Sequence, residues 1–375
     1  MRILVFSLLL LTMVPQSVHA AAKYANDIFY LCADWGPDLE AKDPEKADEI
    51  IYFIKMIAFR SPWPSEKGPS TQLWFCKMNW DGSNKKEICE LWAGQNPSVT
   101  VDSMIRTMWM SVCRKAQKAS FSIEYGADPS WGLFIINLDG KNLRTLARPQ
   151  WTEKDKRAYI HPGISPDGEE VVFSSLQHEP RNTRPREHDQ SRLGIVKVKT
   201  GEVCWLTDEY KDDDPDWSPN GDWIVYTHYT WINENKTPRR IWMIKPDGSG
   251  GKPIMGQLNT FSMRIDTKKE MAAWWPTWST DGKWIWALSG NPCFYIADAQ
   301  NAETILYRDA KHPVGAAKLG KKGILCTGLA TWLLLSEPPE FQVTAVLLVG
   351  PRATVPAERY GDLSSYDLKW GEHQK

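Results

Sequence analysis

What this 375-residue chain lacks closes several classes of function. Net charge is nearly absent: 45 Lys+Arg against 46 Asp+Glu leave −1, which offers no general field for nucleic acid or an anionic membrane. Long apolar runs are absent too. The stretch Ile3 to Val14 is short of the roughly 20 residues that span a bilayer. The run Leu329 to Val349 is cut by Ser336-Glu337-Pro338-Pro339-Glu340 and reads as two strands joined by a loop. No G-x-S-x-G occurs, which disfavours the serine chemistry of that elbow. The seven cysteines form no C-x-x-C, so zinc-ribbon and redox-motif readings are weak. Their odd number leaves at least one unpaired within the chain. Several lie in strand-like runs as small buried residues, while Cys76 and Cys89 could bridge adjacent strands of one hairpin.

Tryptophan is abundant instead, at 20 residues, beside 25 Gly and 25 Pro, which points to aromatic-rich strands joined by turns. The first residues read as an export signal: Arg2, the apolar Ile3 to Val14, then the small-residue run Val18-His19-Ala20-Ala21-Ala22. A signal peptide is expected over 1–22, with a periplasmic or secreted location and no membrane span after cleavage.

Internal repetition carries the fold. HPGISPDGEEVVFSS from His161, DPDWSPNGDWIVYTH from Asp214 and WPTWSTDGKWIWALS from Trp275 align with one another. Each has a proline, a short strand, an Asp/Asn-Gly turn and an alternating apolar strand. The turn glycines supply the positive φ that a hairpin needs. A second hairpin follows each motif, so one unit is four antiparallel strands, the blade of a β-propeller. The spacings of 53 and 61 residues between units predict about six blades, near 24–95, 97–150, 158–208, 211–256, 272–310 and 311–350. The expected organisation is an all-β, six-bladed propeller over 23–350 with a tail or strap over 351–375. Ile28 to Leu31, or a strand near the C-terminus, is expected to complete a blade begun at the other end, since closing the ring removes two exposed edges.

The residues WSPNGDWIVYT, IWMIKPDGSG and WLTD resemble the TolB-type propeller repeat, most specifically over residues 158–310. That resemblance implies a six-bladed propeller and agrees with export. The mixed N-terminal domain of TolB has no counterpart before the first blade. H-P-x-x-S-P-D-G at His161 is also similar to the metal-binding strand of oligogalacturonate lyases, of which only His161 carries over.

Aligned blades align the residue before the motif proline: His161, Asp214, Trp275 and His312. Starts of inner strands gather at one channel mouth, so these side chains are expected on one face around the axis. His161, Asp214 and His312 together would make a nitrogen and oxygen ligand set for a divalent metal, with Asp212 and Asp213 adding acidic charge. An ordinary hydrogen bond to a neighbouring backbone amide is the alternative. Two insertions, Gln177 to Arg192 and Thr227 to Arg240, follow the second strands of their blades. Strand parity puts them on the same face, bringing His178, His188, His228 and Trp231 near the ring. The function expected is an exported, non-catalytic scaffold that binds an envelope or extracellular protein, a peptide or a glycan at the channel mouth and requires no cofactor. The alternative is a metal-dependent carbohydrate-active enzyme resembling oligogalacturonate lyase.

Overall fold

The computed structural model describes residues 27–326 apart from connecting segments, chiefly 59–70, 95–108, 125–130, 150–156, 178–190, 230–238, 256–272 and 309–316. The expected signal peptide and C-terminal tail lie outside these residues. Among the described residues there are twenty-two strands and no helix. No helix among them is therefore long and apolar enough to cross a membrane.

The strands form five four-stranded antiparallel sheets and one two-stranded sheet. Blade one holds β1 (Asp27–Pro37), β2 (Glu49–Ala58), β3 (Thr71–Asn79) and β4 (Lys86–Gly94). Blade two holds β5 (Met110–Cys113), β6 (Lys118–Glu124), β7 (Trp131–Asn137) and β8 (Arg144–Ala147). Blade three holds β9 (Arg157–Ile164), β10 (Glu170–Gln177), β11 (Ser191–Lys197) and β12 (Val203–Trp205). Blade four holds β13 (Asp212–Trp217), β14 (Ile224–Tyr229), β15 (Arg239–Ile244) and β16 (Lys252–Met255). Blade five holds β17 (Trp274–Trp278), β18 (Trp284–Leu288), β19 (Cys293–Asp298) and β20 (Thr304–Arg308). The hairpin of β21 (Ala317–Gly320) and β22 (Gly323–Cys326) follows.

The first strands of successive blades neighbour one another, and β21 lies against both β17 and β1. The fold is therefore an all-β propeller. It has five four-stranded blades rather than the expected six, and the sixth unit appears among the described residues only as a two-stranded hairpin. Of the expected exchange between chain ends, the part assigned to Ile28 to Leu31 is corrected, and a closing strand near the C-terminus lies outside the described residues. Ile28 pairs with Ile57 inside blade one, and β1 to β4 are consecutive. A local hairpin closes a short loop at less entropic cost than pairing the two chain ends.

Each Ser-x-Asx-Gly turn, with Pro166, Pro219 or Thr280 as its second residue, is closed the same way. Ser165 Oγ accepts the Glu170 amide at 2.9 Å and donates to Asp167 at 2.6 Å. Ser218 does so with Trp223 and Asn220, and Ser279 with Trp284 and Asp281. Gly168, Gly221 and Gly282 alone take positive φ in these turns, at 72°, 83° and 71°, which is why glycine recurs there.

Apolar faces pack blade against blade. Trp217 packs with Val172 and Ile195 of blade three, and Trp278 with Val225 and Met243 of blade four. The repeat tryptophans are thus core residues that join each blade to the one before it. Polar clips reinforce the same joints. Asp34 Oδ2 accepts the Val112 amide at 2.8 Å, Ser111 Oγ accepts the Ile164 amide at 3.2 Å, and Asp216 Oδ2 accepts the Trp278 amide at 2.9 Å. In blade three the equivalent residue is Gly163, where a Cβ would lie 3.2 Å from the Pro215 carbonyl oxygen. Close backbone approach there replaces the side-chain clip.

The described cysteines Cys32, Cys76, Cys89, Cys113 and Cys204 are free. Cys76 faces Glu87 and Cys89 faces Phe75 across β3 and β4, so the two thiols are offset in register.

Candidate functional site

A proline inside a strand cannot donate to the ladder and marks a bulge. Each of β9, β13 and β17 breaks register at its proline: between Val172 and Ser174 on the partner of β9, between Asp213 and Asp216, and between Trp274 and Thr277. The residue before each proline turns left-handed, with φ of 52° at His161, 54° at Asp214 and 53° at Trp275. Such a conformation costs a non-glycine residue about 1–2 kcal/mol. Hydrogen bonds from the preceding blade offset part of that cost. The Asp214 amide donates to Ser174 Oγ at 3.1 Å, and the Trp275 amide donates to Thr227 Oγ1 at 3.2 Å.

The bulge also breaks the alternation of side chains between faces. Asp213 and Asp214, though consecutive, both reach His161 of the neighbouring blade. Asp213 Oδ1 lies 3.1 Å from His161 Nδ1 and Asp214 Oδ1 lies 2.8 Å from it. All three residues are buried. Only the line to Asp213 has hydrogen-bond geometry; Asp214 Oδ1 is nearer but off the donor direction and makes no hydrogen bond. Asp213 Oδ1 further accepts the Asp214 amide at 2.8 Å, and Asp214 Oδ2 accepts the Thr227 hydroxyl at 3.0 Å.

Charge follows from this packing. Burial pushes the His161 imidazole down, but Asp214 and Asp213 outweigh it and push it up to about 10. Burial raises the Asp213 carboxyl, yet the His161 cation prevails and holds it below its ordinary value. Asp214 is raised by burial and by the Asp213 charge beside it. The cluster is an imidazolium paired with Asp213, with Asp214 carrying the surplus negative charge.

Asp212 turns elsewhere: its Oδ1 lies 2.7 Å from His228 Nδ1, and Asp212 pairs with His228 across β13 and β14. The His228 ring lies 4.8 Å from that of Trp242. His228 thus sits at the strand end that bears the bulges but belongs to a separate pair. His312, His178, His188 and Trp231 lie outside the described residues.

Sequence reasoning missed two members of this mouth. Asp213 was counted only as nearby charge, and Trp109 was not singled out. Trp109 stands two residues before Ser111, as His161 stands before Gly163 and Asp214 before Asp216. Blade two lacks both the proline and the Asp-Gly turn, and Gln117 with φ of 53° takes the glycine's place. The spacing from the rear half of the blade was the remaining signal. The Trp109 ring meets His161 edge-on at 5.4 Å and Trp275 at 6.2 Å. Blades three and four separate blades two and five, so the two half-buried indoles meet across the channel. Beside them, the Arg239 guanidinium lies 5.0 Å from the Tyr229 ring and 5.4 Å from the Trp274 ring.

A cavity of about 430 Å³ occupies the opposite end of the channel, lined by Asp34, Arg114, Asp216, Trp217 and Trp278 among others. Arg114 is held there by the fully buried Glu49 at 2.6 Å.

No family model matches the chain. In an alignment 155 residues long the chain is 30% identical to the uncharacterised peptidase YuxL of Bacillus subtilis, covering 36% of this chain and 22% of that protein. The chain therefore accounts for well under two thirds of that relative. Among solved structures, a putative TolB from Agrobacterium tumefaciens is 14% identical with a TM-score of 0.43, covering 76% of this chain and 87% of that one. An oligogalacturonate lyase in complex with manganese is 12% identical with a TM-score of 0.45, covering 79% and 77%. The β-propeller domain of the trilobed protease from Pyrococcus furiosus is 12% identical with a TM-score of 0.44, covering 80% and 78%. At TM-scores below 0.5, the propeller is established by the strand order and not by these likenesses.

Proposed function

We propose that this chain is an exported, non-catalytic binding scaffold that captures a partner protein, a peptide or a glycan at the channel mouth. One observation carries the reading. Trp109 and Trp275 form a half-buried aromatic pair across the channel, resting on a buried, fixed His161–Asp213–Asp214 cluster. Large aromatics on a rigid support are the anchors that dominate recognition surfaces, because little side-chain freedom is lost when a partner arrives. Arg239, Tyr229 and Trp274 extend the platform with a cation and two further rings. The periplasmic or secreted location in this reading rests on residues 1–22.

Screening the mature chain against immobilised glycans and a peptide library tests the proposal. Binders should lose roughly tenfold or more in affinity to Trp109→Ala or Trp275→Ala, the cost of removing one aromatic anchor. Unfolding temperature should change little, since both side chains are only half-buried. Binders insensitive to both substitutions place recognition elsewhere and refute the reading. The metal-dependent carbohydrate-active enzyme is the second reading, favoured by the clustering of His161, Asp213 and Asp214 donor atoms within 4.8 Å of one another. Release of reducing ends from oligosaccharides, abolished by chelation, would select it over the scaffold.

A further inference from the structure

We infer that the cavity at the far end of the channel binds a small zwitterion of the amino-acid class with an apolar side chain. Arg114 takes its carboxylate, and Asp34 with Asp216 takes its ammonium group. The inference does not rest on the proposed partner capture, which uses Trp109 and Trp275 at the other end.

The repeat itself marks Arg114. It stands three residues after Ser111, as Pro166 stands after Gly163 and Pro219 after Asp216. Pro37 and Thr280 hold that place in blades one and five, and all five residues line the cavity of about 430 Å³. Four blades put an uncharged residue on this ring, and blade two alone puts a cation there. The next residue departs in the same sense: Lys115 occupies the place of Asp167 and Asp281, and it too lines the cavity. The volume falls within the roughly 300–1,000 Å³ of small-molecule sites.

Arg114 is fixed but not used up. Its Nη2 donates to Glu49 Oε1 of blade one at 2.6 Å, and among the described residues this is the one hydrogen bond of the guanidinium. A guanidinium is a planar fork of five N–H donors, so the buried Glu49 orients it and leaves donors open to a carboxylate. Asp34 and Asp216 border the same cavity. The Val112 amide fixes Asp34 through Oδ2, and the Trp278 amide fixes Asp216 through Oδ2, which leaves lone pairs on both carboxylates. The wall therefore carries both signs. Glu49 already neutralises Arg114, and the two aspartates outnumber Lys115. A simple anion would meet two carboxylates and a simple amine would meet two cations, whereas a molecule with both charges meets each at its own end. Buried Trp35, Trp217 and Trp278 supply apolar wall for the side chain.

Calorimetry on the full chain with L-phenylalanine as probe is the test, beside hydrocinnamate, which lacks the ammonium group, and phenethylamine, which lacks the carboxylate. One phenylalanine per chain is expected, bound at least about tenfold more tightly than either analogue, since each analogue loses one charge-assisted contact. Arg114→Gln should weaken phenylalanine about tenfold or more. Lys197→Gln, which removes an exposed cation of blade three, should leave binding unchanged. Arg114→Gln strands the buried Glu49; should it fail to fold, the double variant Glu49→Gln with Arg114→Gln removes both charges and should show the same loss. The comparison of the three probes on the native chain needs no variant. Either analogue binding as tightly as phenylalanine, no binding at millimolar phenylalanine, or unchanged binding in a folded Arg114 variant overturns the proposal.

Discussion

Exchanging Asp213 or Asp214 for asparagine should have unequal consequences, although the two residues are adjacent, both buried and both within 3.1 Å of the same nitrogen. Asp213 is the hydrogen-bonded counter-ion of His161 and also accepts the Asp214 amide at 2.8 Å. Asparagine keeps the size but removes the charge. Loss of a charge-assisted buried hydrogen bond costs about 1.5–3 kcal/mol. Full stranding of the imidazolium, worth about 3–5 kcal/mol, is avoided because the Asp214 carboxylate, 2.8 Å from the same nitrogen, remains as its counter-ion. We therefore expect about 2–3 kcal/mol of destabilisation for Asp213→Asn. Asp214→Asn removes the surplus negative charge that burial and Asp213 already disfavour. Its amide can still meet the Thr227 hydroxyl, so we expect a change within about 1 kcal/mol of zero, as for the loss of a poorly paired group. Urea unfolding of chelator-treated protein at pH 7 reads both, with unchanged slopes confirming that midpoints report stability. A loss in Asp214→Asn equal to or larger than that in Asp213→Asn refutes the assignment of charge within the cluster.

The legibility of the sequence varied from blade to blade for physical reasons. Blades three, four and five declared themselves because the Ser-x-Asx-Gly turn needs a glycine at positive φ and a serine to close it. Blade two builds its turn on Gln117 and carries no motif proline, so its rear half was readable and Trp109 was not. The proline after His161, Asp214 and Trp275 belongs to the repeat, but period-two reading does not show the bulge it imposes, and that bulge brings Asp213 to the same imidazole as Asp214. Pairing consecutive residues on one side violates the period-two rule on which strand reading depends. Blade number was misjudged because spacing counts units, not strands. The last unit shows a Gly320 to Gly323 hairpin without the two further strands among the described residues.

Three further outcomes follow from the same contacts. The folded state raises the His161 pKa to about 10, so its contribution to stability is complete below the ordinary value near 6.5 and is lost as pH rises through 10. Unfolding temperatures of chelator-treated protein between pH 7 and 10.5 should therefore fall more steeply for the native chain than for His161→Gln. Asp216→Ala removes the acceptor of the Trp278 amide and the Thr277 hydroxyl between blades four and five; about 3 kcal/mol should be lost in urea unfolding. Gly168→Ala and Gly82→Ala separate backbone strain from steric clash. Both glycines have positive φ, 72° and 82°, so alanine pays about 1–2 kcal/mol at either place. A Cβ at Gly82 meets nothing within 4 Å, whereas at Gly168 it would sit 2.3 Å from the Ala116 Cβ, an atom fixed to the backbone of the blade-two turn. Gly168→Ala must push two turns apart and should cost at least about 1 kcal/mol more than Gly82→Ala, the lower end for overpacking. Equal losses in the two variants would mean that blades two and three do not meet at this turn.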